Sequence, residues 1–264
     1  MTPMNEQDKD FPWWLVIAGG IGAYLLWRIA NDGLYAQVLA KLAKGIEITV
    51  FVTLVAFAMA SVLGLLLAVM SLSRFVVFRQ IARFYIEIVR GVPIMVLLLY
   101  VAFVISPALI EGVNVGLTSL GFDPVRPRDF ELLWRAIIAL TIGYSAFIAE
   151  VFRAGLQSID RGQIEAAESL GLSPWQRFRL IVFPQAFRRI LPPLGNDFVA
   201  MVKDSSLVSV LGVADVTQLG KVTAAGNFRY FETYNVVALI YLIMTIGLSL
   251  LLRRLEKKLR QREG

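Results

Sequence analysis

Long apolar runs alternate with short basic segments along this chain. Residues 11–27 carry no charge and have Trp13, Trp14 and Trp27 where an interfacial aromatic belt would lie. Residues 48–73 form a second uncharged run, closed by Arg74, Arg79 and Arg83. A third extends over 84–110, with Glu87 and Arg90 in its first turns, and a fourth over 132–152, with Glu150 and Arg153 at its far end. Residues 233–252 make a final apolar run before the basic tail RRLEKKLRQREG. Each run is long enough to cross the hydrocarbon layer as a helix, the form in which a lone segment satisfies its own backbone there.

Residues 191–214 are ambiguous, because Asp197, Lys203 and Asp204 interrupt them. Parity settles the expectation. The basic segments 153–189 and 253–262 belong on one side, so an even number of crossings must separate them. Residues 233–252 supply one crossing and 191–214 the other, which predicts six spans with both ends in the cytosol. On that layout the cytosolic loops (74–83, 153–189, 253–262) hold fifteen Lys or Arg, against six in the outer loops 31–47, 111–131 and 213–232.

Composition agrees with the pattern. The chain has 264 residues, 57% hydrophobic and only 17% charged, against about 25% charged in soluble domains. This describes an all-α integral membrane protein with no sizeable soluble domain. The net charge of +6 sits between spans and in the tail, as a topology signal rather than a nucleic-acid surface. There is no cysteine or histidine, which removes thiol chemistry, disulfides and the commonest general base and metal ligand. No metal site is expected. The first run lacks the basic start and small-residue cleavage site of a signal peptide and reads as a retained helix.

Between the fourth and fifth runs lies a polar insert, residues 160–184, DRGQIEAAESLGLSPWQRFRLIVFP. Asp160 with Gln163, and Ser173 with Gln176, have the spacing of two capping boxes. Gly171 suits the left-handed stop of the first helix. Pro174 fits the first position of the second, and Pro184 is expected to end it. Both helices are too short to stand alone, so they either rest on the bilayer or dock on a partner. Ala166, Ala167 and Leu170 offer a small apolar face for such a partner.

The charged residues near span ends group by spacing. Glu87 with Arg90, and Glu150 with Arg153, are each i, i+3 and can meet on one helical face. With Lys203 and Asp204 they predict three helices bringing opposite charges to similar depth near the cytosolic end. Such groups either line a gate for a zwitterionic or charged solute or form packing ion pairs. Small residues Ala56, Ala58, Ala60, Ser61 and Gly64 would let the second span approach its neighbours closely. Gly220-Lys221 has the look of a phosphate loop, but Asp215 stands where glycine is needed and no Ser or Thr follows the lysine.

Several of these stretches resemble a known family. Glu165-Ala166-Ala167, three residues, Gly171, nine residues and Ile181-Val182-Phe183-Pro184 is similar to the EAA loop of ATP-binding-cassette importer permeases, with Phe183 where leucine is usual. Arg90-Gly91-Val92-Pro93, Ala146-Phe147-Ile148-Ala149-Glu150 with Arg153-Ala154-Gly155, and Lys203-Asp204-Ser205-Ser206-Leu207 resemble motifs of the polar-amino-acid members, such as the histidine, glutamine and arginine types. The departures are Val92, Phe147 and Ala154. The resemblance covers residues 46–252 and implies a type I importer-like transmembrane domain, in which the insert is a coupling helix.

It implies a multi-pass permease subunit in the bacterial plasma (inner) membrane, importing polar amino acids by alternating access. Glu165, Ala166, Ala167, Gly171 and Pro184 would couple to the ATPase; Glu87, Arg90, Glu150, Arg153, Lys203 and Asp204 are the pathway or gate candidates. The implied partners are a cytosolic ATPase dimer, a second permease subunit, an external solute-binding protein, the amino acid and membrane lipid. ATP and Mg would reside on the ATPase, with no cofactor and no catalytic residue in this chain. Residues 1–45 would be a tail and an additional helix, 46–252 the permease core, and 253–264 the basic tail. An ion-coupled secondary transporter or a scaffold for a cytosolic partner are the competing functions.

Overall fold

The first helix stops where Asp32 takes an extended conformation and its carboxylate accepts a hydrogen bond from the Leu34 amide (3.0 Å), capping the second. The computed structural model describes residues 13–260. In chain order they form α1 (Trp13–Asn31), α2 (Gly33–Ser71), α3 (Val76–Gly91), α4 (Ile94–Tyr100), α5 (Ser106–Ser119) and α6 (Leu132–Gln157). There follow α7 (Arg161–Ser169), α8 (Pro174–Arg177), α9 (Phe183–Asp204), α10 (Val216–Asn227) and α11 (Tyr230–Arg260). All regular structure among the described residues is helical.

At 39 residues, α2 is about 58 Å long at 1.5 Å per residue, nearly twice the hydrocarbon thickness. The outer loop expected at 31–47 is therefore mostly helix. Tyr35, Val38 and Leu42 give that extension a buried face, packed against Val236, Val237 and Ile240 of α11. Farther along α2, Ala56, Ala60 and Gly64 lie on the buried side, while Ala58 faces outward. A Cβ on Gly64 would come within 2.9 Å of Ile148 and 3.0 Å of the Ser145 carbonyl of α6. Small residues thus bring α2 and α6 together at the centre of the core, as expected for close-packed membrane helices.

The third expected span is two objects. Pro93 has no amide hydrogen and disfavours helical backbone in the residue before it; Val92 is accordingly extended (φ −99°, ψ 131°). This separates the amphipathic α3 from the apolar run α4–α5, so Glu87 and Arg90 belong to α3 and not to the first turns of a span. A π turn, Val101–Ile105, joins α4 to α5 just before Pro107. Another, Phe178–Val182, joins α8 to α9 just before Pro184. Pro184 therefore does not end the helix: the widened turn accommodates the ring and its missing donor, and the helix continues through Pro192 and Pro193.

Among the described residues, four helical runs are long and apolar enough to cross a membrane: α2, Ile94–Ser119, α6 and α11. Val16–Asn31 is shorter, and α9 carries Asp197, Lys203 and Asp204. α9 lies along α6 in the opposite direction, from the Ile190 side chain pressed on Gly155 to the Asp204 carboxylate beside Tyr144. It then tightens into a 3₁₀ segment, Ser205–Leu211, and turns at Gly212 (φ 83°).

Candidate functional site: the coupling insert and the charged clefts

The insert is folded against the ends of α6 and α9. Asp160 caps α7 by accepting from the Gly162 amide at 2.7 Å. Gln163 does not complete a box with it; its side-chain oxygen accepts from Gln185 Nε2 of α9 at 2.7 Å, tying the two helices together. At the other end the Leu172 amide donates to Ala167 O (3.1 Å) and the Gly171 amide to Glu168 O (2.9 Å). This is a Schellman closure around Gly171 at φ 75°. Ser173 and Gln176 form the expected capping box. Arg177 pairs with Glu168, Arg189 donates to Ser158 O, and Ile159, Ile164, Val182, Ala186 and Ile190 pack beneath.

These contacts correct the expected apolar face. Ala167 is buried, whereas Glu165, Ala166 and Gly171 are exposed and Leu170 is 81% exposed. The outward edge of α7 thus presents Glu165, Ala166 and Leu170, ending at a glycine with open space around its Cα. Pro184 lies half-buried within the continuous helix.

The six charged candidates do not form one layer. Glu150 and Arg153 do meet on α6, with Arg153 Nε 3.1 Å from Glu150 Oε1, and Arg153 Nη1 donates to Gln157 at 3.0 Å. Together with Ser71, Arg83 and Glu87 they line a cleft of about 370 Å³ between the ends of α2, α3 and α6. This lies at the insert's end of the bundle. Arg90 does not pair with Glu87; its guanidinium sits over the Phe147 ring at 5.7 Å.

Asp204 lies elsewhere. It accepts a 2.7 Å hydrogen bond from Tyr144, which is six residues before Glu150 and halfway along α6. At 1.5 Å per residue that separates the two carboxylates by about 9 Å along the helix. The reason is the antiparallel course of α9, which carries its C-terminal end to mid-span. Lys203 is exposed while Asp204 is partly buried, since adjacent helical residues point about 100° apart. Asp197 lies two turns earlier on the same face, with Oδ2 buried and without a hydrogen-bond partner among the described residues.

Three groups escape a sequence reading. Tyr144, 4% exposed, looks like an ordinary core aromatic until its hydroxyl is placed against Asp204. Arg135, 6% exposed, is hidden inside an apolar window; it donates to Ala102 O at 2.9 Å, Phe130 O at 3.1 Å and Pro127 O. Asp215 caps α10 through the Gln218 amide (2.8 Å) and accepts from Tyr241 (3.1 Å) beside Gly45 of α2. Burial raises the Asp215 carboxyl above its ordinary range, against the hydrogen bonds from Gln218, Thr217 and Tyr241 that lower it.

Comparison with known proteins places these features in a family. Residues 60–262 match the family described as the binding-protein-dependent transport system inner membrane component. The glutamine transport system permease protein of Escherichia coli K12 is 36% identical over 219 residues, 83% of this chain and 93% of that protein. The arginine transport system permease protein of Bacillus subtilis is 30% identical over 220 residues, again 83% and 93%. A crystal structure of an amino acid ABC transporter with histidines aligns with TM-score 0.71 and 34% identity, covering 84% of this chain and 96% of that one. An inward-facing methionine ABC transporter shares the fold at TM-score 0.64 and 21% identity. With an all-helical bundle, apolar helices of membrane-spanning length and a family match over most of its length, this chain belongs to the inner-membrane permease components of binding-protein-dependent ABC transport systems.

Proposed function

We propose that the chain is the membrane subunit of an ATP-driven importer of polar amino acids. The observation that carries this reading is the insert: a short helix closed at both ends, backed by α6 and α9, and presenting an exposed edge to a partner. It joins the 36% identity to a glutamine permease. The partners are a cytosolic ATPase dimer, a second permease subunit (another copy or a relative) and an external solute-binding protein. ATP and Mg bind on the ATPase, and this chain does no bond-breaking chemistry.

Closure of the ATPases moves α7, and the Gln163–Gln185 bond and the packed α6–α9 ends pass that movement to the spans. Nucleotide shifts the inward–outward equilibrium by the difference in its affinity for the two forms. Glu165, Ala166, Ala167, Gly171 and Pro184 act in this coupling. Glu150 with Arg153, Glu87 and Arg90 flank the cytosolic exit. Asp204, with Lys203 beside it, lies deeper, where Tyr144 steadies the carboxylate and water in the pathway solvates it. Uptake of radiolabelled glutamine, arginine and glutamate into proteoliposomes holding the assembled transporter, with and without ATP, tests the proposal. ATP-independent uptake driven by an ion gradient would replace it with a secondary transporter, and absence of any uptake would reject it.

A further inference from the structure

The cleft between α2, α3 and α6 holds two pairs of opposite charges in different states. Glu150 and Arg153 are joined by two contacts, so their charges largely neutralise each other. Arg83 and Glu87 are one helical turn apart on α3, a spacing at which such residues commonly pair. Yet both are exposed, and no ion pair or hydrogen bond joins either to another group among the described residues. Both line the same cavity of about 370 Å³, within the usual range for small-molecule sites. A free cation and a free anion, about 6 Å apart along α3 by helical rise, therefore face one polar cleft.

That juxtaposition suits a small molecule with a carboxylate and an ammonium on the same carbon. We propose that this cleft binds the zwitterionic head of a free α-amino acid from the cytosolic side, at a site separate from Asp204 and Tyr144. The carboxylate faces Arg83, whose fork of N–H donors suits two carboxylate oxygens. The ammonium faces Glu87. Glu150 remains neutralised by Arg153 and so does not draw the ammonium away from Glu87. Gln157 and Ser71 close the polar wall, and the side chain of the amino acid points to the open mouth, so the site selects the head and not the side chain. The cytosolic direction rests on the importer reading above, since the cleft lies at the insert's end.

The test uses the assembled transporter with Gln157→Cys as its only cysteine, labelled by a water-soluble maleimide. L-glutamine is expected to slow labelling. Glutaramate, which lacks the ammonium, and 4-aminobutyramide, which lacks the carboxylate, are expected to have little effect at the same concentration. Arg83→Gln and Glu87→Gln should each raise the half-protecting glutamine concentration about tenfold or more, the loss expected for one charge-assisted contact. Arg83→Lys should retain part of the protection, and Asp204→Asn should leave it unchanged. Variant particles that elute normally on size exclusion show that the cleft, and not folding, has changed. No protection by glutamine, equal protection by either half-molecule, or protection indifferent to both α3 variants overturns the site. ATP-driven uptake by the same preparation separates the two levels: its absence rejects the importer reading, whereas uptake without protection rejects the cleft alone.

Discussion

Arg135 is the side chain whose loss should be felt most at the outer end of the bundle. Its guanidinium binds three carbonyls belonging to two elements: Ala102, inside the π turn of the broken span, and Pro127 and Phe130, in the segment leading to α6. Replacement by methionine keeps much of the apolar stem and removes all three donors. Pro127 and Phe130 are not buried and can turn to water, so little is lost there. Ala102 is fully buried, and an unsatisfied buried carbonyl costs about 1–3 kcal/mol. Removal of a buried charge recovers part of its desolvation cost, so the net destabilisation expected for Arg135→Met is about 1–3 kcal/mol. Arg135→Lys should fall between, because one ammonium cannot reproduce a planar fork across separated acceptors. Denaturant unfolding of the purified complex measures the loss, and hydrogen exchange should show faster opening at 120–131 and around Ala102. Wild-type stability and exchange in Arg135→Met would refute the idea that this side chain pins the loop to the broken helix.

Gly171→Val puts a β-branched residue at φ 75°, costing about 1–3 kcal/mol locally; the spans should still assemble while solute-stimulated ATP hydrolysis falls, and normal stimulation would remove the insert from coupling. Glu150→Gln leaves Arg153 without its partner. Because the pair borders an open cleft, water compensates, so the variant should assemble normally but transport poorly; loss of assembly instead would identify a packing pair. Asp204→Asn keeps an acceptor for Tyr144 and should likewise preserve the fold while reducing uptake, with wild-type uptake arguing against a pathway role. Six crossings with both ends in the cytosol predict that a cysteine at position 5 resists an impermeant maleimide added outside intact cells, and rapid labelling there would reverse the N-terminal assignment.

Membrane residence, helical class and the family-like insert were legible from local signals, because each depends on residues close in sequence. An apolar run of sufficient length needs a bilayer whatever its neighbours do, and Gly171 or the Ser173–Gln176 box closes a helix end through contacts three to five residues apart. What failed locally failed where two local rules compete. Pro93 breaks the helix, leaving Val92 extended, whereas Pro184 does not, because the π turn before it rearranges the backbone hydrogen bonds. Depth, and every partnership between different helices, belonged to the tertiary structure alone. Glu150 meets Arg153 within α6, as its spacing predicts, but the reversed course of α9 takes Asp204 away from that level to Tyr144 at mid-span. Arg83, Glu87 and Arg90 share one helix, and only the packing of α3 on α6 turns Arg90 onto Phe147 and leaves the other two facing an open cleft. Helical periodicity states which residues share a face; the neighbour that covers the face comes from residues tens of positions away.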